Sequence, residues 1–435
     1  MRQTTLALQS FAMVVALSAC GTDRPTEPPA PNPGVWRIQG TFEIADSASM
    51  GVVSQAISLA FDGAGRPCVA FIDVHREAIR YAVRDESGWS AETVVEGGDS
   101  DGHDIGLVMD AAGTPHIFYV HKTGTYGGEF HHAIRSNGTW IDEIIDDGGY
   151  CGAWSSPAFD GAGRLHVAYF AGYTYYDLRY AVHDETGWRR ELVDSEGACG
   201  YGADLALDPH GRPEIVYGTA DAPHEIRIAR LRAGVWAREV LAAEDWTGEH
   251  MAMAQGKDGR LHIAYRAGNR SPTSISYMIV DGDTRQSEPL FSVGDAGYHP
   301  AVALDSAGRV WAAWNGLVPM TACLVDGVWQ LHSLVDYPRS ASQIALQASP
   351  SGRMGVAFIG ADSSPWFGWL DLVPVEPGGE AEAPLSCGNW NRLGSLHGVS
   401  TGGGWNTHPG APIPDHEASR SRVSLARARD ATPAS

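Results

Sequence analysis

SPAFDGAGRLHVAYFAGYTYYDLRYAVHDETGWRRELVD, residues 156–194, holds four short runs of apolar or alternating residues separated by turn-forming pairs. Apolar side chains recur at period two, and Gly and Asp interrupt every run. The stretch therefore reads as four consecutive β-strands and not as a helix. Leu165, Val167 and Tyr169 share one face, as do Leu178, Tyr180 and Val182, while Ala168 and Ala181 are assigned to the other. The expectation is a sheet with one bulky and one small face, able to nest against copies of itself.

Such copies run along most of the chain. An Asp stands three residues before a Gly at Asp62, Asp110, Asp160, Asp208 and Asp305, with Gly256 and Ser349 as departures. The Gly column is Gly65, Gly113, Gly163, Gly211, Gly259, Gly308 and Gly352, spaced by 48, 50, 48, 48, 49 and 44 residues. A strand ending in an aromatic residue follows each one: Phe71, Tyr119, Tyr169, Tyr217, Tyr265, Trp314 and Phe358. Seven units of one size are the mark of a repeat architecture. The Asp suits the start of a tight turn, where its carboxylate accepts backbone N–H groups.

Fourth strands start near Trp89, Trp140, Trp188, Trp236, Arg285 and Trp329, and the seventh unit has none. The missing member stands at the other end of the array, as Val35-Trp36-Arg37-Ile38. A ring explains this displacement, because a last sheet that takes its outer strand from the N-terminus closes the circle without leaving a strand over. An open solenoid would carry atypical caps at both ends instead. The fold class is all-β: a seven-bladed β-propeller of four-stranded blades, with the N-terminal strand closing the last blade. Turns such as Asp85-Glu86-Ser87-Gly88-Trp89 and Asp184-Glu185-Thr186-Gly187-Trp188 are similar to a degenerate Asp box. Residues 34–374 accordingly resemble bacterial seven-bladed propellers of sialidase-like or Asp-box architecture. That resemblance implies the architecture, while the sialidase pattern of clustered arginines and a Tyr-Glu pair is not reproduced.

The ends of the chain read differently. Arg2, the apolar run Leu6 to Leu17 and the small Ser18 and Ala19 form a signal peptide over 1–19. Leu17-Ser18-Ala19-Cys20 resembles a bacterial lipoprotein box. The resemblance implies acylation of Cys20, a lipid bilayer as partner and, with Gly21 next, the outer membrane of a Gram-negative host; two or more acyl chains hold a protein firmly to a membrane. Residues 20–33 form a Pro-rich tether, and 375–435 a flexible Gly/Ala/Arg-rich extension without strand periodicity.

A net charge of -21 argues against nucleic acid as a partner. Walker, HExxH, CxxC and Rossmann patterns are missing, and Gly398-Val399-Ser400-Thr401-Gly402 lacks the strand–turn–helix context of a catalytic GxSxG. His116, His166 and His262 share a column but are expected to hold local hydrogen bonds, so no metal is assigned. Asp99-Ser100-Asp101-Gly102-His103-Asp104 reads as a polar turn. No cofactor is expected. Cys151 and Cys199, each nine residues before the alignment position, are expected in adjacent mouth loops and form the candidate disulfide of an oxidising compartment.

The connections that vary in length join second to third strands and one unit to the next, and they should collect at one mouth of the ring. Ligand-binding candidates there are Asp73, Arg76, His103, Asp104, Tyr173, Tyr175, Tyr176, His250 and His299. Aromatic faces cover apolar sugar surfaces while Asp, His and Arg fix polar orientation. No pair is marked as catalytic by spacing, since glycoside hydrolysis needs two carboxylates at a set separation. The first expectation is a monomeric, membrane-tethered propeller that binds a glycan, a peptide or a cell-envelope protein. The alternatives are an exported carbohydrate-active hydrolase and a structural envelope protein without a small ligand.

Overall fold

The computed structural model describes residues 36–46, 56–97, 105–124, 127–172, 176–243, 247–268, 274–291, 298–316, 319–334, 343–360 and 362–374. The chain divides into two units, Met1–Gly379 and Glu380–Ser435, and the described residues all belong to the first. Cys20, His103, Asp104, Tyr173, Tyr175 and Cys387 lie outside the described residues, as do the proposed signal peptide, tether and C-terminal extension.

Seven four-stranded antiparallel sheets follow one another, six of them in simple sequence order. In the seventh, the strand Trp36–Ile44 adds to the outer edge of Pro365–Pro374, in register from Trp36↔Pro374 to Ile44↔Trp366. The ring is thus closed by the displaced N-terminal strand, as the repeat pattern requires. Cys151, at the start of blade three, pairs with Ala171, at the end of that blade's second strand. Blade-to-blade connections and second-to-third connections therefore share one end of the ring, which is the mouth.

Each first turn is built as its composition dictates. Asp62 Oδ1 accepts the N–H groups of Ala64 at 3.0 Å and Arg66 at 2.9 Å, and Arg66 Nε donates to Oδ2 at 2.7 Å. The arrangement recurs at Asp160, Asp208 and Asp305. Where Ser349 replaces Asp, its hydroxyl accepts the Arg353 N–H at 3.1 Å. Gly163, at φ +80°, supplies the left-handed residue that closes the turn. In the shared histidine column, His166 bonds Tyr180 and His262 bonds Tyr277, each at 2.5 Å, while His116 bonds His132 at 2.9 Å. Among the described residues no cluster could hold a metal ion, and no helix is long and apolar enough to cross a membrane.

The expected bulky and small faces need correction. Val167 pairs with Ala181 and Ala168 with Tyr180, so each bulky strand faces the same way as the small residues of its neighbour. Both faces of blade three are consequently half bulky. One buries Leu165, Val167, Tyr169 and Ala181 against Phe118 and Phe130 of blade two. The other buries Ala168, Leu178, Tyr180 and Val182 against Leu205, Ile215 and Tyr217 of blade four. Burial on both sides is what an interior blade of a ring demands.

The expected disulfide is overturned as well. Cys151 and Cys199 are buried free thiols that begin the first strands Cys151–Phe159 and Cys199–Leu207 and do not lie in loops. Cys151 packs in the core between blades two and three, and Cys199 in the core between blades three and four. The whole of blade three separates the two sulfurs. Burial pushes both thiols up to about 12, in keeping with inert core residues.

Polar contacts tie the blades at the mouth end. Asp146 accepts from Tyr169 at 2.8 Å, Arg179 at 2.8 Å and Arg190 at 2.6 Å, all on the following blade. Asp194 repeats the pattern with Tyr217 at 2.7 Å, Arg227 at 3.0 Å and Arg238. Across the closing seam, Arg80 of blade one donates to Asp46 at 3.0 Å. These pairs, each built on a buried aspartate, hold the loop-bearing ends of the strands in place.

Candidate functional site

At the axis, the inner edges of all seven first strands surround a cavity of about 340 Å³. Its position follows from the repeat, since every blade presents the edge of its first strand to the ring centre. Two depths can be read in the sequence relative to the turn Asp. Six residues before it, the column is Ala56, Asp104, Trp154, Gly202, His250, His299 and Gln343; four before it, Ser58, Gly106, Ser156, Asp204, Ala252, Ala301 and Ala345.

In blades three to six the first strand breaks register near the upper of these positions, between Ala153 and Ser156, Tyr201 and Asp204, Thr247 and Met251, and Tyr298 and Ala301. Bulges of this kind re-aim side chains. Trp154 (φ +48°), Gly202 (φ +56°) and His299 (φ +49°) adopt left-handed backbone there. For Trp and His this conformation is strained, and it recurs at the same column of two blades. The strain is located where the chain meets the cavity.

His250 and His299 both line the cavity, with ring centroids 4.3 Å apart. Each is half-buried in the wall. That burial disfavours the charged form: His299 is pushed down to about 4, and His250 is held well below its ordinary value by burial, His299 and Arg266. Both shifts favour the neutral imidazole, which carries one donor and one acceptor nitrogen. Trp154, also on the wall, packs edge-on against Phe170 at 5.1 Å and tilted against Tyr201 at 5.3 Å. Tyr176 stacks on Phe170 at 5.8 Å. An aromatic group spanning blades three and four thus borders one side of the cavity, and the imidazole pair of blades five and six another.

Deeper in the wall, Asp204 Oδ1 accepts from Ser156 Oγ at 2.5 Å and from Leu205 N–H at 2.9 Å, while Oδ2 accepts from Met253 N–H at 2.6 Å. Burial outweighs these bonds and raises its carboxyl to about 6. Ser58, Ser156 and Gln343 make comparable blade-to-blade bonds, to Leu107 N–H at 3.1 Å, Leu205 N–H at 3.0 Å and Ile57 N–H at 2.7 Å.

The structure separates the candidates expected from sequence. His250 and His299 meet at the cavity, and Tyr176 belongs to the adjoining aromatic group. Asp73 and Arg76 do not line the cavity. They bond each other in the blade-one loop, Arg76 N–H to Oδ1 at 3.0 Å and the guanidinium to Oδ2 at 2.5 Å, with Asp73 1% exposed. Trp154, Asp204, Ser156 and Gln343 were not anticipated. Aligning the repeats inward from the turn Asp as well as outward would have exposed their columns.

No protein-family model matches the chain, and no curated protein matches it in sequence. Solved structures do share its fold. The polysaccharide lyase Uly1 is 8% identical, with a TM-score of 0.51 over 74% of this chain and 90% of that one. A PL25 ulvan lyase bound to -[GlcA(1-4)Rha3S]- is 12% identical, with a TM-score of 0.50 over 75% and 94%. The Aleuria aurantia lectin AAL, in complex with Fucalpha1-6GlcNAc, is 14% identical over 64% and 97%, with a TM-score of 0.46. For the two lyases, at these identities, the likeness is one of fold.

Proposed function

We propose that the protein is a carbohydrate-active propeller that takes a glycan at its axial mouth. The observation that carries this reading is the closely packed His250–His299 pair on a cavity wall shared with Trp154. Trp154 offers a face for a sugar ring, and the imidazoles orient its hydroxyls. Titratable groups with strongly perturbed ionisation in a concave site are candidates for chemistry. Paired-carboxylate hydrolysis would need a partner for Asp204, the one carboxylate on the described wall, and Asp104 of the His250 column lies outside the described residues. We favour proton abstraction by a neutral imidazole: the ring takes the proton beside the carboxyl group of a uronate, the electron pair left on that carbon forms the C=C bond, and the C–O bond to the leaving sugar breaks with its electron pair on the oxygen, which takes the proton back from the imidazolium. No water or redox partner is consumed. Arg266, buried near His250, adds positive charge to that side of the ring. A binding role without turnover is the second reading, favoured by the occupied oxygens of Asp204.

A panel of neutral and uronate-containing polysaccharides tests both. The expected result is unsaturated product from an acidic polymer, reduced at least a hundredfold in His299→Ala and in His250→Ala with the fold retained. Binding without product moves the assignment to the second reading, and neither binding nor product removes it. For the N-terminus, we propose attachment to a bilayer through acylated Cys20, supported by the Leu17–Cys20 motif. Cys20→Ser should then release the protein from membranes of its host; retention by membranes would refute the anchor.

A further inference from the structure

Resting on the glycan reading, we propose that the cavity accepts the end of a glycan chain and excludes its interior. The wall is contributed by all seven first strands, so it encircles the axis. The ring has no open seam, because the strand Trp36–Ile44 completes the last blade along nine paired residues. Side-chain bonds stitch adjacent inner edges: Gln343 to Ile57, Ser58 to Leu107, Ser156 to Leu205 and Asp204 to Met253. Between blades two and three, where Pro157 has no N–H to satisfy, Gly106 lets the proline ring pack directly against the strand. A polymer cannot slide in from the side of such a wall. It enters along the axis, one end first.

The depth of the wall indicates what meets that end. His250, His299 and Trp154 lie at the upper of the two repeat positions, and Asp204 and Ser156 at the lower. An ionised carboxylate has about four acceptor positions. Three are taken on Asp204, by Ser156 Oγ, Leu205 N–H and Met253 N–H. The remaining one suits a terminal hydroxyl. At the same depth in blades five to seven, Ala252, Ala301 and Ala345 line the cavity with small side chains and leave room for the ring.

The test uses the full chain and oligosaccharides cut from the polysaccharide that binds most tightly in the panel, supplied free, blocked by a bulky group at the reducing end, or blocked at the other end. One blocked form should bind at least tenfold more weakly than the free one, while the other binds normally. Asp204→Asn should weaken the free form about tenfold. Ala252→Leu, which fills the cavity without removing a bond, should do the same with an unchanged melting temperature. Equal binding of all three forms, or unchanged affinity in Ala252→Leu, would overturn chain-end recognition while leaving the glycan reading intact. Binding of none of them would remove both.

Discussion

Burial works against charge on several histidines, and its consequence for stability has a definite sign. His116 lies between His132, Asp110 and Phe159 and is pushed down to about 4, first by burial and then by His132. His299 is likewise held near 4. The unfolded chain takes up a proton on each near pH 6.5 and the folded chain does not. Their contribution is therefore full above about 6.5 and lost as pH falls toward 4. His131 behaves oppositely: burial opposes its charge, but bonds to Asp142 and Glu129 raise it. Asp204, raised to about 6 by burial, also opposes the trend, because it favours the folded state more at low pH than at high. Asp160, lowered to about 2 by bonds that outweigh burial, adds acid lability only below the usual carboxylate range. For His116 alone the loss between pH 6.5 and 4 is on the order of 2–3 kcal/mol. Denaturant unfolding at several pH values should show this slope in the wild type and a flatter one in His116→Gln. Parallel curves would contradict the assignment.

At the scale of elements, inner strands meet through matched pairs. Leu107, Leu205 and Met253 each find a side-chain acceptor on the preceding blade, whereas Pro157 needs none and faces Gly106. A Cβ added at Gly106 would stand 2.9 Å from Pro157 Cδ and 3.1 Å from its Cγ. The proline ring is rigid, so Gly106→Ala should destabilise by about 1–3 kcal/mol. The double change Gly106→Ala with Pro157→Ala should recover part of that loss, since the smaller residue yields space. A single variant within about 0.5 kcal/mol of wild type would show that the strands adjust freely. Other joints repeat around the ring: the Trp188 indole donates to Glu143 at 2.9 Å, and Trp236 to Glu191 at 2.9 Å. Each couples a fourth strand to the one before it.

For the whole molecule, closure was legible because a missing Trp-led strand and its displaced copy at Trp36 are facts of spacing. The turns were legible too, since Asp and Gly have only a few reasons to recur in tandem. Face assignment within a blade was not, because period two says which residues alternate but not how neighbouring strands are registered; Ala168 opposite Tyr180 is a property of pairing. The thiols misled for a related reason, as equal column position places Cys151 and Cys199 in equivalent cores and a full blade apart. Of the site, His250 and His299 were visible as polar residues in variable stretches, while Trp154 and Asp204 lay within strands that read as framework. Their role comes from the ring axis, which no single repeat contains. A crystal structure with a bound oligosaccharide measures most directly whether a glycan is held at that axis. The predicted result is a sugar ring over Trp154 within hydrogen-bond distance of His250 and His299; a sugar bound only on the outer strands or on the turn-bearing face, with the axial cavity left to water, would contradict it.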